Sequence, residues 1–206
     1  AEAGVAVTSG TSLWLAAHRS RCIGVTGTKG KSATASLIAH LLNAAGDRAQ
    51  LAGNVGSPLL ELGAPAGTAV AELSSYQCAS IDVAPRVAVI TNLYQDHLDW
   101  HGGLEQYWRA KARIVSRGAD VLIAGDDVVQ SLEGLGVTAP RVVPPAEVPD
   151  REDLPEALRP PHMQANLALA IAAARTVSLE PALMGDLANL LADLLYSYLD
   201  PRVRAG

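Results

Sequence analysis

Short apolar runs alternate with stretches of helical spacing along most of the chain. Runs typical of buried strands lie at residues 21–26, 48–52, 69–73, 86–93 and 121–124. Apolar residues three and four positions apart predict helices, and they lie at residues 13–18, 31–45, 104–117 and 162–177. Gly46 gives the second of these helices a natural end, because glycine readily adopts the left-handed conformation that follows a helix.

This order of strands and helices predicts an α/β fold. Repeated βα units favour a mostly parallel, twisted sheet of about five or six strands flanked by helices. Residues 137–161 contain seven prolines, which favour an extended connection with one short strand at residues 141–143. Leucines at helical spacing predict a further helix within residues 187–198.

Composition changes this picture in two respects. Aromatic residues make up only 4% of the chain and phenylalanine is absent, so leucine, valine, isoleucine and alanine must fill the core. The 206 residues carry a net charge of −5 without clusters of lysine and arginine, which argues against a general nucleic-acid partner.

The two cysteines, Cys22 and Cys78, are too few for a disulfide framework and lack the spacing of a metal site. We see no pattern typical of a signal peptide in these residues, and no apolar run is long enough to cross a bilayer. We therefore expect a cytoplasmic protein with reduced thiols and no membrane partner.

Residues 23–32 run from a buried strand through two glycines into Lys31, Ser32 and a helical pattern. This arrangement is typical of a P-loop that binds nucleotide phosphates. Gly27 and Gly30 allow the backbone to point several N–H groups at one anion. Lys31 would then reach the β- and γ-phosphates, and the Ser32 hydroxyl would ligate Mg²⁺.

The loop is a shorter variant of the P-loop pattern. The strict pattern has a glycine where this chain has Val25, whereas Thr28 and Lys29 lie between the two glycines that are present. The alternative is a glycine-rich turn between strand and helix that binds nothing.

Polar side chains also follow two later strands. Glu72 ends the strand at residues 69–73, and Asp96, His97 and Asp99 follow the strand at residues 86–93. Because parallel strands present their carboxyl ends at one edge of the sheet, we expect these groups beside the P-loop, where they suit Mg²⁺ or a phosphate. Taken singly, the carboxylate could equally be a helix cap or a solvated group, and the histidine a loop residue without a ligand.

Together these motifs resemble the central domain of the Mur ligases, a P-loop NTPase-like domain. The resemblance rests on residues 27–32, 53–56, 72–77, 91–92, 96–99 and 107–111, which fall in the order found in the family. Within the family, the string Glu-Leu-Ser-Ser-Tyr-Gln at residues 72–77 is most similar to the MurD type, which adds glutamate to UDP-N-acetylmuramoyl-L-alanine.

The resemblance implies an ATP-dependent, ADP-forming amide-bond ligase of peptidoglycan synthesis. Its substrates would be ATP with Mg²⁺, UDP-N-acetylmuramoyl-L-alanine and glutamate. The family uses an acyl phosphate that the amine of the incoming amino acid attacks. Lys31, His97 and Lys111 would act in catalysis, and the ATP site would comprise Gly27, Thr28, Lys29, Gly30, Lys31, Ser32 and Asn166.

The same resemblance implies the metal and substrate residues. Ser32 and Glu72 would hold the metal shared with ATP, and His97 with a carbamylated Lys111 would hold a second. Asn54, Ser74 and Gln77 match positions that contact the UDP-muramoyl substrate. Without the resemblance, Lys111 would be taken for a solvated helix lysine.

Two positions depart from the family pattern. His162 is followed by Met163 where the family has the first asparagine of its adenine motif, which alters the hydrogen bonding around Asn166. Gln95 replaces a glutamate that is common in the MurD type. The second departure suggests a divergent subgroup that uses L-glutamate in place of D-glutamate.

The resemblance divides the chain into three parts. Residues 1–19 are interpreted as a remnant of an N-terminal UDP-binding domain, residues 20–179 as the central ATP-binding domain, and residues 180–206 as a helical tail without the C-terminal glutamate-binding domain. The chain is accordingly expected to be truncated. Two alternatives stay open: a nucleotide-binding module without turnover, or another member of the superfamily such as a folylpolyglutamate synthase.

Overall fold

A six-stranded parallel sheet forms the centre of the computed structural model, which describes residues 8–177. In chain order the strands are β1 Cys22–Thr26, β2 Gln50–Gly53, β3 Ala69–Glu72, β4 Val87–Ile90, β5 Val121–Ile123 and β6 Val142–Val143. Their spatial order is β2-β3-β1-β4-β5-β6, and all neighbours run parallel. The prediction of a parallel α/β sheet is therefore confirmed.

Helices cover both faces of the sheet. They are α1 Gly10–His18, α2 Lys31–Ala44, α3 Leu59–Leu62, α4 Ser75–Ser80, α5 Leu98–His101, α6 Leu104–Ser116, α7 Asp126–Gly134 and α8 Pro161–Val177. The helices α2 and α8 pack together on one face. The residues of α1, α4, α6 and α7 form a second apolar cluster on the other face.

The central strands are apolar throughout because they are covered on both sides. Every residue of β1, β3, β4 and β5 is buried, as expected of parallel strands between two helical layers. The outer strand β2 is only partly buried. Burial of short aliphatic side chains fills the core without phenylalanine, as the composition predicted.

The register of the strands brings their carboxyl ends to one edge. Val25 lies opposite Glu72, and Thr26 lies opposite Ile90. Gly53, at the end of β2, also lies opposite Glu72. The turns that follow these strands therefore meet at a single edge of the sheet, where a ligand can contact several of them.

Some elements differ from the sequence-based prediction. The strand expected at residues 48–52 is Gln50–Gly53, and the run at 86–93 is a strand only at Val87–Ile90. The polar segment after β4, for which no helix was predicted, includes the short helix α5. The helix α7 was not predicted, although Asp126 and Asp127 suit the first turn of a helix, where acidic groups interact favourably with its dipole.

Several sequence-based predictions fall beyond the described part of the chain. The helical pattern at 187–198, the tail at 180–206 and the first seven residues of the expected N-terminal remnant lie outside residues 8–177. Within residues 8–177, no helix is both long and apolar enough to span a bilayer. Cys22 and Cys78 are buried free thiols, and burial raises the pKa of Cys22 to about 12.

Candidate active site

The P-loop connects β1 to α2 at the carboxyl edge of the sheet. Gly27 has a φ of 142° and Gly30 a φ of 80°, both in the region that favours glycine. A side chain at position 27 would collide with Thr91, and one at position 30 would collide with Asn166. Both glycines are therefore required by conformation and by space.

Asn92 holds the P-loop from the neighbouring strand end. Its side-chain oxygen accepts hydrogen bonds from the backbone N–H groups of Thr28, at 3.2 Å, and Lys29, at 2.9 Å. Its amide nitrogen donates to the carbonyl oxygen of Lys29 at 3.0 Å. These two loop N–H groups are thus engaged within the protein, and Asn92 fixes the shape of the loop.

The donors that face a ligand come from the start of α2. The first N–H groups of a helix have no acceptor within the helix and favour an anion. Gly30 precedes the first residue of α2, Lys31, and Ser32 follows. The Lys31 ammonium donates to the carbonyl oxygen of Thr28 at 3.1 Å, which keeps it beside the loop.

Glu72 is buried at the end of β3, with 1% of its surface exposed. One carboxylate oxygen accepts a hydrogen bond of 3.1 Å from the amide of Asn54. The other, Oε2, is buried without a hydrogen-bond partner. A buried carboxylate oxygen without a partner is costly and calls for a cation or a donor. The alternatives of a helix cap and of a solvated group are both inconsistent with this environment.

Lys111 is also buried, with 1% of its surface exposed. Its ammonium donates to the carbonyl oxygen of Gly27 at 2.7 Å and lies 4.8 Å from the ring centre of Tyr107. Burial lowers the pKa of Lys111 to about 8, with a smaller contribution from the positive charge of Lys31. The alternative of a solvated helix lysine is therefore wrong.

His97 lies at the start of α5 in a left-handed conformation, with φ 48°. Its backbone N–H donates to the Asp96 carboxylate at 2.9 Å, and its Nε2 lies 3.6 Å from the same carboxylate. This contact orients the imidazole, which is about half exposed, toward the cleft. Asp99 is exposed on α5 and does not line the cleft.

An aromatic cluster that was not predicted lies beside His97. Tyr76, Trp100, His101 and Tyr107 contact one another, with ring centres 4.4 to 5.7 Å apart. Burial, with the charges of Lys111 and His97, lowers the pKa of His101. These residues lie on three separate elements, so no short sequence pattern indicates the cluster.

A first cleft of about 420 Å³ lies on one side of the P-loop. Its lining includes Thr28 of the predicted ATP site and most of the predicted catalytic, metal and substrate residues: Lys31, Ser32, Asn54, Glu72, Ser74, His97 and Lys111. Gln77 is not among the lining residues. Its side chain accepts a hydrogen bond from the backbone N–H of Ser74 and completes a capping box at the start of α4. The predicted substrate contact of Gln77 stays a prediction.

A second cleft of about 590 Å³ lies on the other side of the loop. Lys29 and Gly30 form its boundary with the P-loop, and Asn166 of α8 lines it together with His162 and Tyr94. Met163 replaces an amide with a thioether, whose sulfur accepts a hydrogen bond of 3.8 Å from Asn166. The altered motif therefore still holds the Asn166 side chain beside the P-loop.

The first cleft suits Mg²⁺ bound together with a phosphate. Within residues 8–177 there is no group of three or more histidine, cysteine and acidic side chains placed to hold a metal ion. Magnesium commonly uses one or two carboxylates and completes its octahedron with substrate phosphates and water. The unpartnered oxygen of Glu72 and the hydroxyl of Ser32 fit that mode, because both residues line the same cleft.

All lysines of the chain belong to this region. The sequence contains three, Lys29, Lys31 and Lys111. Two lie on the P-loop, and the third contacts the carbonyl of Gly27 from α6. The lysine charge of the chain is therefore concentrated at the two clefts.

Comparisons with known proteins identify the same region. The model of the Mur ligase middle domain matches residues 25–138, which is more than half of the chain. A UDP-N-acetylmuramoyl-L-alanine--L-glutamate ligase from a Micromonospora species is 50% identical over 120 residues, which cover 58% of this chain and 26% of that protein. The chain thus spans about a quarter of the length of this relative.

Solved structures show the same fold at lower identity. The UDP-N-acetylmuramate:L-alanyl-gamma-D-glutamyl-meso-diaminopimelate ligase from Neisseria meningitides superposes with a TM-score of 0.64 at 20% identity, over 92% of this chain and 71% of that one. FolC from E. coli, in complex with DHPP and ADP, gives a TM-score of 0.57 at 19% identity. The match covers 85% of this chain and 59% of that one. These likenesses concern the fold alone.

Proposed function

The chain belongs to the Mur ligase family, and we propose that it carries the ATP-binding core of a ligase that joins L-glutamate to UDP-N-acetylmuramoyl-L-alanine. The reaction would convert ATP to ADP and phosphate. The choice of L-glutamate is supported by the name of the relative at 50% identity and by Gln95, which departs from the MurD type.

The observation that carries the proposal is the position of the P-loop between two clefts. Lys29 and Gly30 line the second cleft, whereas Lys31 and Ser32 line the first. A nucleotide laid across the loop would have its base on the side of Asn166. Its terminal phosphate would then lie beside Lys31, close to the buried carboxylate of Glu72.

The first chemical step would take place in the first cleft. An oxygen of the substrate carboxylate attacks the γ-phosphorus of ATP, the bond from that phosphorus to the β-phosphate oxygen breaks, and ADP leaves. Lys31 would offset charge on the transferred group, as a positioned cation does in phosphoryl transfer. Asn54 and Ser74 line the same cleft and would position the UDP-muramoyl substrate.

The second step would form the amide. The amine of glutamate attacks the acyl carbon, and a tetrahedral intermediate then expels inorganic phosphate while the nitrogen loses its proton. The residues that bind glutamate are not assigned within residues 8–177. In this proposal the chain supplies the residues for the first step, the formation of the acyl phosphate.

Ser32 and Glu72 would hold the Mg²⁺ shared with ATP in the first cleft, and His97 with a carbamylated Lys111 would hold a second. Bound there, the metal ions would neutralise phosphate charge and align the reacting oxygens. Lys111 would contribute as a carbamate, formed when its neutral amine attacks carbon dioxide and loses a proton. Its burial beside the cleft, and the absence of an ion pair to it among residues 8–177, support that role.

Nucleotide binding can be tested separately from turnover. We would titrate the chain calorimetrically with a non-hydrolysable ATP analogue, with and without Mg²⁺, and compare Lys31→Ala with the exposed control Arg151→Ala. Binding that depends on Mg²⁺, is lost in Lys31→Ala and is kept in the control is expected. Unchanged affinity in Lys31→Ala would contradict the phosphate placement.

The activity has its own test. Phosphate release from ATP that requires both UDP-N-acetylmuramoyl-L-alanine and L-glutamate would support the ligase. Nucleotide binding without such release would favour a module without turnover. Binding of a folate in place of the UDP-muramoyl substrate would favour the folylpolyglutamate synthase alternative, to which the apo form of L. casei FPGS, at 19% identity, offers a likeness in fold alone.

A further inference from the structure

Tyr94 combines a fixed backbone with an exposed ring. Its backbone N–H donates to the Thr28 hydroxyl at 3.0 Å, and its carbonyl oxygen accepts from the same hydroxyl at 3.2 Å. The indole N–H of Trp108 donates to that carbonyl as well, at 3.2 Å. Three hydrogen bonds therefore fix this backbone to the P-loop and to α6.

The side chain of Tyr94 makes no corresponding contacts. The residue is 58% exposed. Across residues 8–177, neither a hydrogen bond nor a ring contact engages its side chain, in contrast to the clustered rings of Tyr76 and Tyr107. Packing or stability of the fold does not account for a bulky ring at this position.

The surroundings of Tyr94 indicate what it could contact. It lines the second cleft together with Lys29 and Gly30 of the P-loop and with Asn166 across the opening. The cleft of about 590 Å³ has room for a nucleoside. The side-chain amide of Asn166 offers both a donor and an acceptor, the combination that a nucleobase edge requires.

We propose that the ring of Tyr94 is the stacking surface for the base of the nucleotide whose phosphates lie on the P-loop. The assignment rests on the proposed function, because it takes ATP as the ligand. Stacking on an aromatic face does not distinguish one base from another, so base selectivity is left to the edge contacts of Asn166. Because Thr28 fixes the backbone of Tyr94, only the rotation of the side chain would have to be settled when the nucleotide binds.

The test compares two substitutions at one position. Tyr94→Phe keeps the aromatic face, whereas Tyr94→Leu keeps an apolar side chain but removes the face. ADP affinity should stay within about twofold for Tyr94→Phe and fall about tenfold for Tyr94→Leu, the lower part of the range measured for base stacking. Inorganic triphosphate, which has no base, should bind the wild-type chain and both variants equally.

The outcomes separate this inference from the proposed function. Unchanged ADP affinity in Tyr94→Leu would overturn the stacking role alone. Equal losses for ADP and triphosphate would also overturn it, since that result would mean that the substitution disturbs the P-loop. Failure of the wild-type chain to bind either ligand would overturn the ATP-dependent function, and the role of Tyr94 with it.

Discussion

The ammonium of Lys111 lies 2.7 Å from the carbonyl oxygen of Gly27, 84 positions earlier in the chain. The contact joins the middle of α6 to the first residue of the P-loop. It also buries a titratable amine at the floor of the first cleft. The pKa of this amine therefore depends on the folded structure around the P-loop.

Lys111 should make stability depend on pH above neutrality. Its pKa is about 8 in the folded chain, and an unfolded lysine titrates near its ordinary value of 10.5. Between these values the unfolded chain binds more protons, so the free energy of unfolding should rise with pH; below about 8 the contribution is flat and least favourable. The rise is about 3 kcal/mol at 1.36 kcal/mol per unit.

Denaturant titrations of wild type and Lys111→Met at pH 7 to 10.5, in buffer freed of carbon dioxide so that the amine is not carbamylated, would measure this effect. Other titrating groups contribute to both proteins, so the difference between the two curves isolates Lys111. The free energy of unfolding of the wild type should rise with pH relative to that of Lys111→Met. Parallel curves would mean that Lys111 is not desolvated in the folded chain.

Replacing Glu72 with glutamine should reduce the effect of Mg²⁺ on nucleotide binding. The amide has nearly the same shape but lacks the charge that a divalent cation requires. We expect the ratio of ADP affinities with and without Mg²⁺ to fall about tenfold, or about 1.4 kcal/mol. Glu61→Gln, the same change at an exposed position of α3, is the control. An unchanged ratio would exclude Glu72 as a ligand.

Asn92 should matter for both stability and phosphate binding. Asn92→Ala removes an acceptor shared by two loop N–H groups. We expect a loss of about 1–3 kcal/mol in unfolding free energy and weaker triphosphate binding. Asn43→Ala is a matched control, because Asn43 makes a similar pair of bonds to the backbone of Ala49. That variant should lose stability but keep its affinity for triphosphate. An equal loss of triphosphate affinity in both variants would argue against a specific role of Asn92 in phosphate binding.

Two glycine-to-alanine substitutions should differ in their effect on stability, one destabilising and the other not. Gly27→Ala places a side chain at φ 142° and against Thr91, which should cost about 1–3 kcal/mol. Gly134→Ala lies at the end of α7 with open space around it, and should be neutral or stabilise by up to about 1 kcal/mol. Thermal unfolding measures both. A Gly27→Ala variant as stable as the wild type would show that the loop can adopt another conformation.

The sheet and the P-loop could be predicted because their signals are local. Buried parallel strands are apolar without interruption, and the loop combines glycines, a lysine and a serine within ten residues. The turn after each strand could then be assigned to one edge from the topology alone. Ser32, Glu72 and His97 were placed together on that argument, and they line one cleft.

Other features depend on contacts between distant positions. A helix lysine is usually solvated, and only packing against Tyr107 and the P-loop reveals that Lys111 is buried. The hydrogen bonds of Asn92 span 63 and 64 positions. The helix α7 was missed because its apolar face consists of little more than Val128 and Leu132, too few residues to establish a period.

The placement of the three lysines has a practical consequence for chemical labelling. Apart from the α-amino group, an amine-directed reagent can modify this chain only at Lys29, Lys31 and Lys111, because arginine supplies every other basic side chain except histidine. Reductive methylation with isotope-enriched formaldehyde would therefore introduce spectroscopic probes at the two clefts and at no other side chain. The same property makes random amine coupling to a sensor surface unsuitable, since every attachment through a side chain would use a group that a bound nucleotide has to reach.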